Sequence, residues 1–232
     1  MAVVTVTGGT GYIGRALIEQ LIANGHRLAT RTDTEVLPHL WEEHRTRLPE
    51  AIDGMFAVAV WDSSSRTGLL ARDRVGKKPL YWHDDGKRIV FSGARGGFTN
   101  LYVIDTDGRN LRALTNDLYG AVMPAWSPDG RRIAFVSDRG PRTDVALLRF
   151  GKWQVNVLDL ESNTIETIPG QGGKNLNPQW APDGKSIAYL SDRSGEDEIW
   201  MEPQDGSAAP TQITSGGDTY KYQILWSPDS KK

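Results

Sequence analysis

Four tryptophans, Trp82, Trp126, Trp180 and Trp226, recur along this chain at intervals of 44, 54 and 46 residues. Three of them open near-copies of one phrase: Trp126-Ser-Pro-Asp-Gly130, Trp180-Ala-Pro-Asp-Gly184 and Trp226-Ser-Pro-Asp-Ser230. Trp82-His-Asp-Asp-Gly86 is a weaker fourth. Self-similarity at this period restricts the chain to architectures in which one supersecondary unit stacks on the next.

Each repeat reads as short strands joined by tight turns. After the tryptophan phrase comes a strand at Arg88–Phe91, Arg132–Val136 and Ser186–Leu190, and twice a Ser-Asp-Arg turn follows at Ser137–Arg139 and Ser191–Arg193. A third strand is expected at Asn100–Ile104, Gln154–Leu158 and Glu198–Met201, and a fourth at Leu111–Leu114, Thr164–Ile168 and Thr211–Ile213. Pro-Asp-Gly suits the turns because proline presets φ and glycine accepts positive φ. Acid pairs such as Asp105/Asp107 and Asp129/Asp183 read as turn residues bonding their own backbone. Four short strands per repeat of this length imply β-propeller blades. The repeats resemble TolB-like and tricorn-type propellers over about 150 residues. The expected fold class is mainly β: an incomplete propeller of about three blades plus one strand, with an N-terminal βα segment. Left open, the outer blades would expose strand edges and invite self-association. Val145–Phe150 adds an extra hairpin or loop to the second repeat.

Before residue 80 the vocabulary changes. Val3–Val6 is a short β-rich run, followed by Thr7-Gly-Gly-Thr-Gly-Tyr-Ile-Gly14 and an amphipathic stretch, Tyr12 to Asn24, that Gly25 closes as a C′ residue. Gly8 permits a tight turn, Gly11 lets the backbone approach a pyrophosphate, and Gly14 allows close helix–strand packing. This opening resembles extended short-chain dehydrogenases and nucleotide-sugar epimerases. The resemblance implies NAD(P) binding through Gly8, Gly11, Tyr12, Ile13 and Gly14, with Asp33 or Arg31 at the ribose. No Tyr-x-x-x-Lys catalytic pair accompanies it.

Arg31-Thr-Asp-Thr-Glu-Val36, Gly54–Asp62 and Leu70–Tyr81 form another ordered series. Met55–Trp61 and Thr67–Arg72 read as a hairpin closed at Ser63-Ser-Ser-Arg66. The series resembles the glutaminase (N-terminal nucleophile) domain of asparagine synthetases. That resemblance implies that Asp33 matches the acid binding the substrate amino group, and that the nucleophile is a thiol at the second position, where this sequence has Ala2. Pro38 would remove a backbone bond from any helix begun at Asp33, at about 3 kcal/mol. A helix beginning around Leu37 and running through Trp41 to Arg47 is therefore expected. The implied domains are 1–33, a Rossmann-like βα fragment; 34–79, a glutaminase-like helix and hairpin; and 80–232, the blades. Three vocabularies in one chain read as a chimeric or artificial mosaic.

Charge is balanced, with 27 Lys and Arg against 29 Asp and Glu. That argues against general binding to nucleic acid or an anionic membrane. No apolar run reaches the ~18 residues of a membrane span, and no secretory signal opens the sequence, so a cytoplasmic location is the default. Absence of cysteine excludes disulfides and thiol chemistry within these residues. Of the four histidines, the closest pair (His39 and His44) lacks the i,i+4 spacing of a helical zinc pair, and no metal site is expected. With no complete catalytic constellation, the expected function is a non-catalytic propeller scaffold binding a protein or small ligand at its blade tops. It would need no cofactor. The alternative is an NAD(P)-binding protein, while an amidotransferase is rejected for want of its nucleophile.

Overall fold

In the computed structural model, residues 2–6, 19, 21–28, 33–52, 56–62, 64–72, 82–95, 98–216, 221 and 224–227 are described. The chain divides into two compact units. One comprises Met1–Leu80 with Gly93–Gly96 and Ile104–Leu111; the other comprises Tyr81–Ser92, Gly97–Val103 and Arg112–Lys232.

Among its described residues, the first unit holds a three-stranded antiparallel sheet, a helical turn ending at Ala23 and a longer helix. Strand β1 (Ala2–Val6) pairs with β2 (Ala57–Asp62), which pairs with β3 (Thr67–Arg72). Ala2 faces Asp62, Val4 faces Val60 and Val6 faces Val58. This corrects the dinucleotide-fold reading of the opening. A Rossmann crevice needs parallel neighbours joined by crossover helices, whereas β1 lies antiparallel beside a strand more than fifty residues away. The β2–β3 hairpin falls where the sequence placed it. Asp62 closes its turn by accepting bonds from the Ser64 N–H (2.9 Å), the Ser64 hydroxyl (2.5 Å) and the Ser65 N–H (3.3 Å).

Helix α1 runs Asp33–His44 and a 3₁₀ turn follows at Arg45–Ala51. The helix starts at Asp33, four residues before the expected Leu37, with Pro38 inside it. Burial explains why. Val36, Leu37, Leu40 and Trp41 are each at most 3% exposed and pack with Leu21, Leu48, Phe56, Val58 and Val60. At roughly 1.5–3 kcal/mol per buried apolar side chain, four of them outweigh one lost helix bond.

Three four-stranded antiparallel sheets make up the second unit, apart from the ends of two strands of the first sheet, Gly93–Arg95 and Ile104–Asp105, which fall in the first unit. The first is β4 (Trp82–Asp84), β5 (Arg88–Arg95), β6 (Phe98–Asp105) and β7 (Arg112–Ala113). The second is β8 (Ala121–Trp126), β9 (Arg132–Ser137), β10 (Gln154–Asp159) and β11 (Ile165–Thr167). The third is β12 (Asn175–Trp180), β13 (Ser186–Ser191), β14 (Glu198–Pro203) and β15 (Thr211–Gln212). The mainly β, incomplete-propeller class read from the repeats stands. Blade faces meet through Val90, Leu101, Ile133, Phe135 and Leu158, and again through Val155, Val157, Ile187 and Tyr189.

The tryptophans do the joining. Trp126 and Trp180 end the first strands of blades two and three and are 4% and 6% exposed. Each is capped by the arginine that begins the second strand of the preceding blade: Arg88 lies 4.3 Å from the Trp126 ring centroid, and Arg132 lies 4.9 Å from that of Trp180. Arg88 is aimed by Asp85 (2.7 Å) and also donates to the Gly130 carbonyl at 2.7 Å, so one guanidinium ties the two blades' turns together. Trp82 does not hold the equivalent place. Trp126 pairs with Ile133 across the hairpin, but in blade one Asp84 pairs with the corresponding Ile89. Trp82 therefore sits two residues out of register and is 48% exposed.

The first hairpin of blades two and three carries the same bulge, at Met123 (φ 54°) and Asn177 (φ 55°). Each precedes a proline, Pro124 or Pro178. A residue without an N–H fits where the ladder is already interrupted.

Four substitutions check these contacts. Trp180→Ala should cost about 3–5 kcal/mol in urea unfolding of the propeller unit, and Arg132→Ala about 0.5–2 kcal/mol. Trp82→Ala should stay within about 0.5 kcal/mol of the parent, as a surface change does. In the first unit, Asp62→Asn should lower stability at neutral pH and blunt its loss in acid. Bonds from Ser64, and then from the Trp41 indole, hold this carboxyl well below its usual range. A depressed carboxyl stabilises the fold above the unfolded-state value near 3.9 and loses that contribution as pH falls toward the folded-state value.

Candidate functional site

The glycine-loop residues Gly8, Gly11, Tyr12, Ile13 and Gly14, together with Arg31, lie outside the described residues. Asp33 is the first residue of α1, and only its backbone is described.

Around α1 the structure assembles polar groups that spacing alone did not connect. The helical turn ending at Ala23 closes with the His26 N–H bonding the Leu21 carbonyl and the Gly25 N–H bonding that of Ile22, both at 3.0 Å. Gly25 has φ 92°. This is a Schellman stop with the glycine at C′, and it delivers His26 onto one face of α1. There His26 Nδ1 lies 3.0 Å from His39 Nδ1, and its Nε2 lies 2.9 Å from Glu43 Oε1. Glu42 Oε2 is 3.6 Å from His26 Nδ1 and 3.7 Å from His39 Nδ1. The Asn24 amide donates to Glu43 at 2.9 Å. That bond, and after it the His26 ring, holds the Glu43 carboxyl below its usual range.

Next along the chain, Asp62 gathers the Trp41 indole N–H (3.0 Å) and Arg45 (2.6 Å) onto one oxygen while its other oxygen serves the hairpin turn. The carboxylate is fully engaged in holding helix, 3₁₀ turn and sheet together.

The propeller acids are structural, as their spacing suggested. Asp129 accepts from the Ser127 hydroxyl (2.5 Å) and the Arg131 N–H (3.0 Å), Asp183 from the Lys185 N–H (2.9 Å), and Asp107 from the Arg109 N–H (3.0 Å). In the Ser-Asp-Arg turns, Asp138 receives the Gly120 N–H (2.8 Å) and Asp192 the Lys174 N–H (2.7 Å), fixing the start of the first strand in blades two and three. The arginines fold back over aromatic rings, Arg139 above Phe135 and Arg193 above Trp200. Beside the first of these turns lies a cavity of about 440 Å³ lined by Arg139, Arg142, Lys152, Gln154 and Gln171 among others.

Glu202 is different. It is 1% exposed, and among the described residues neither carboxyl oxygen lies within ordinary hydrogen-bonding distance of a donor, although the Tyr189 hydroxyl faces it. Burial pushes its pKa up.

Comparison with known proteins adds what geometry cannot. The family model of the glutamine amidotransferase domain matches residues 1–124, just over half of the chain. An asparagine synthetase [glutamine-hydrolyzing] of Bacillus subtilis is 35% identical over 86 residues, covering 37% of this chain and 14% of that protein. One from Arabidopsis thaliana is 41% identical over 85 residues, covering 36% and 14%. The chain thus spans about a seventh of the length of these curated relatives. In structure, it is similar to TolB from Acinetobacter baumannii, with a TM-score of 0.54 and 21% identity over 79% of this chain and 45% of that one. That likeness bears on the fold alone.

These findings overturn the functional expectation. A match over residues 1–124 to an amidotransferase domain replaces the non-catalytic scaffold, its NAD(P)-binding alternative and the rejection of an amidotransferase. The glutaminase-like resemblance and the TolB-like blades both find relatives, whereas nothing matched supports the epimerase-like opening or a chimeric origin.

Glu202 supplies a stability test. A carboxyl whose folded-state pKa is raised keeps its proton longer in the fold, so stability falls as pH climbs from the ordinary value near 4.3 toward the folded-state value. Glu202→Gln should flatten that decline and stabilise the propeller unit by about 1–3 kcal/mol at neutral pH, read from melting temperature against pH.

Proposed function

The chain belongs to the glutamine amidotransferase domain family, and from that premise we propose that it binds a glutamine-type amino-acid amide and acts on its carboxamide nitrogen. The observation carrying this reading is the family match over residues 1–124. The relatives' names give the substrate class, since they are glutamine-hydrolysing enzymes. Asp33, inside the matched span, supplies the carboxylate that pairs with the substrate α-ammonium. A hydrogen bond to a charged group contributes about 1.5–3 kcal/mol, enough to govern affinity.

The chemistry departs from the family at one point. The 232 residues include no cysteine, so attack on the amide cannot use a thiol from this stretch. Water or a hydroxyl oxygen takes its place: the C–N bond breaks, the acyl carbon gains oxygen, and glutamine plus water gives glutamate and ammonia. Loss of a nucleophile from an acyl-transfer site typically costs on the order of 10⁶ in kcat, with about 10³–10⁴ over water retained from binding and polar stabilisation. Turnover is therefore slow, and binding is the sharper readout.

L-Glutamine titrated into the full chain by calorimetry should show saturable binding. Asp33→Asn should weaken it by about 10–100-fold, the equivalent of 1.5–3 kcal/mol. Ammonia release, followed with a coupled assay, should be indifferent to iodoacetamide. If the parent chain gives neither heat nor ammonia with millimolar glutamine, the proposal fails.

A further inference from the structure

We infer that His26, His39 and Glu42 form a three-ligand site for a zinc-type divalent cation, with Glu43 as the outer carboxylate that orients His26. This stands apart from the amide-handling proposal and on different residues.

The argument begins with tautomers. The Glu43 carboxylate accepts hydrogen bonds and donates none, so the 2.9 Å contact with His26 requires the His26 proton on Nε2. The lone pair of the neutral ring is then on Nδ1. The Schellman exit at Gly25 and the Asn24–Glu43–His26 chain fix its direction. It accepts from His39 Nδ1–H at 3.0 Å and faces the Glu42 carboxylate, and a cation bound there takes the place of that proton. A ring nitrogen bearing a lone pair, backed by a carboxylate on its other nitrogen, is the arrangement that raises ligand basicity and sets ring orientation in metal centres.

Distances agree. A tetrahedral cation with N and O bonds of about 2.0–2.2 Å places its ligand atoms about 3.3–3.5 Å apart. The three separations here, 3.0, 3.6 and 3.7 Å, straddle that edge. All three ligand atoms lie within 4.8 Å of one another, the group of this kind found among the described residues. His39 and Glu42 are i and i+3 on α1, hence on one face, and His26 completes the triangle from a separate element.

The ligand set selects the metal. Two imidazoles and one carboxylate suit zinc and its cobalt surrogate, whereas calcium and magnesium favour oxygen cages. Side-chain exposure is 18% at His26 and 22% at His39 but 62% at Glu42. The open side is therefore at Glu42, where a water can take the fourth position.

Zinc titrated into the full chain by calorimetry should bind at one site per chain, and cobalt should give the visible absorption of a tetrahedral centre. His39→Ala and Glu42→Gln should each weaken zinc by about 100-fold or more, and Glu43→Gln, which removes no ligand, by about 10–100-fold. His44→Ala, which removes no ligand and only a 3.7 Å neighbour of Glu43, should leave affinity within about threefold, the scatter typical of such contributions. Glu42 is exposed, so its variant keeps the fold and stays decisive if a histidine variant does not; circular dichroism monitors this. No zinc uptake by the parent chain would overturn the inference. So would uptake that survives Glu42→Gln and His39→Ala in folded protein, or that His44→Ala abolishes.

Discussion

The propeller unit depends on one contact made twice, an arginine side chain lying over the tryptophan of the following blade. A four-stranded sheet has two faces and can bury neither alone. Stacking blades solves this only if neighbours hold a fixed register, and a planar guanidinium over an indole supplies direction that apolar packing lacks. Arg88 and Arg132 occupy the same position in successive blades, so the hairpin of blade two carries both a tryptophan for the blade before it and an arginine for the blade after, while in blade three Ser186 stands at the arginine's position. Where the register slips, as at Trp82, the ring is left half in solvent.

The first unit rests on a different centre. Asp62 ends β2 and binds the Trp41 indole, Arg45 and the hairpin serines at once, so a single carboxylate locks the helix, the 3₁₀ turn and the β2–β3 hairpin. That arrangement frees the opposite face of α1 for His39, Glu42 and Glu43. The amidotransferase-family match and the histidine cluster thus share a helix while using different residues of it.

The blades were legible in the sequence because their information is local. Trp-x-Pro-Asp-Gly specifies a turn and its flanking strands within a dozen residues, and Ser63–Arg66 does the same for the β2–β3 hairpin. Gly25 likewise announced a helix stop that its φ and hydrogen bonds bear out. What escaped was nonlocal. Val3–Val6 reads as a strand, but its alternation does not say which strand it joins, and the glycines after it suggested a parallel neighbour. The start of α1 escaped because a local rule about Pro38 competed with burial of Val36 and Leu37, which only the packed structure reveals. His26 and His39 are thirteen residues apart on separate elements, so no spacing rule could have paired them. A histidine just after a glycine helix stop was the one available hint. The amidotransferase relationship was visible in its phrases but was discounted for one missing side chain, an unsafe step when a family is defined by many positions.

The pairing of β1 with β2 carries a consequence for how the molecule is made. Each blade closes from neighbouring hairpins, so its nucleus needs only a short loop and assembles quickly. Strand β1 must wait for Val58–Asp62, more than fifty residues downstream, before it finds its partner. During synthesis at about 5–20 residues per second, the leading strand spends seconds as an unpaired edge, the interval in which a nascent chain is most exposed to a holding chaperone or to a second copy of itself.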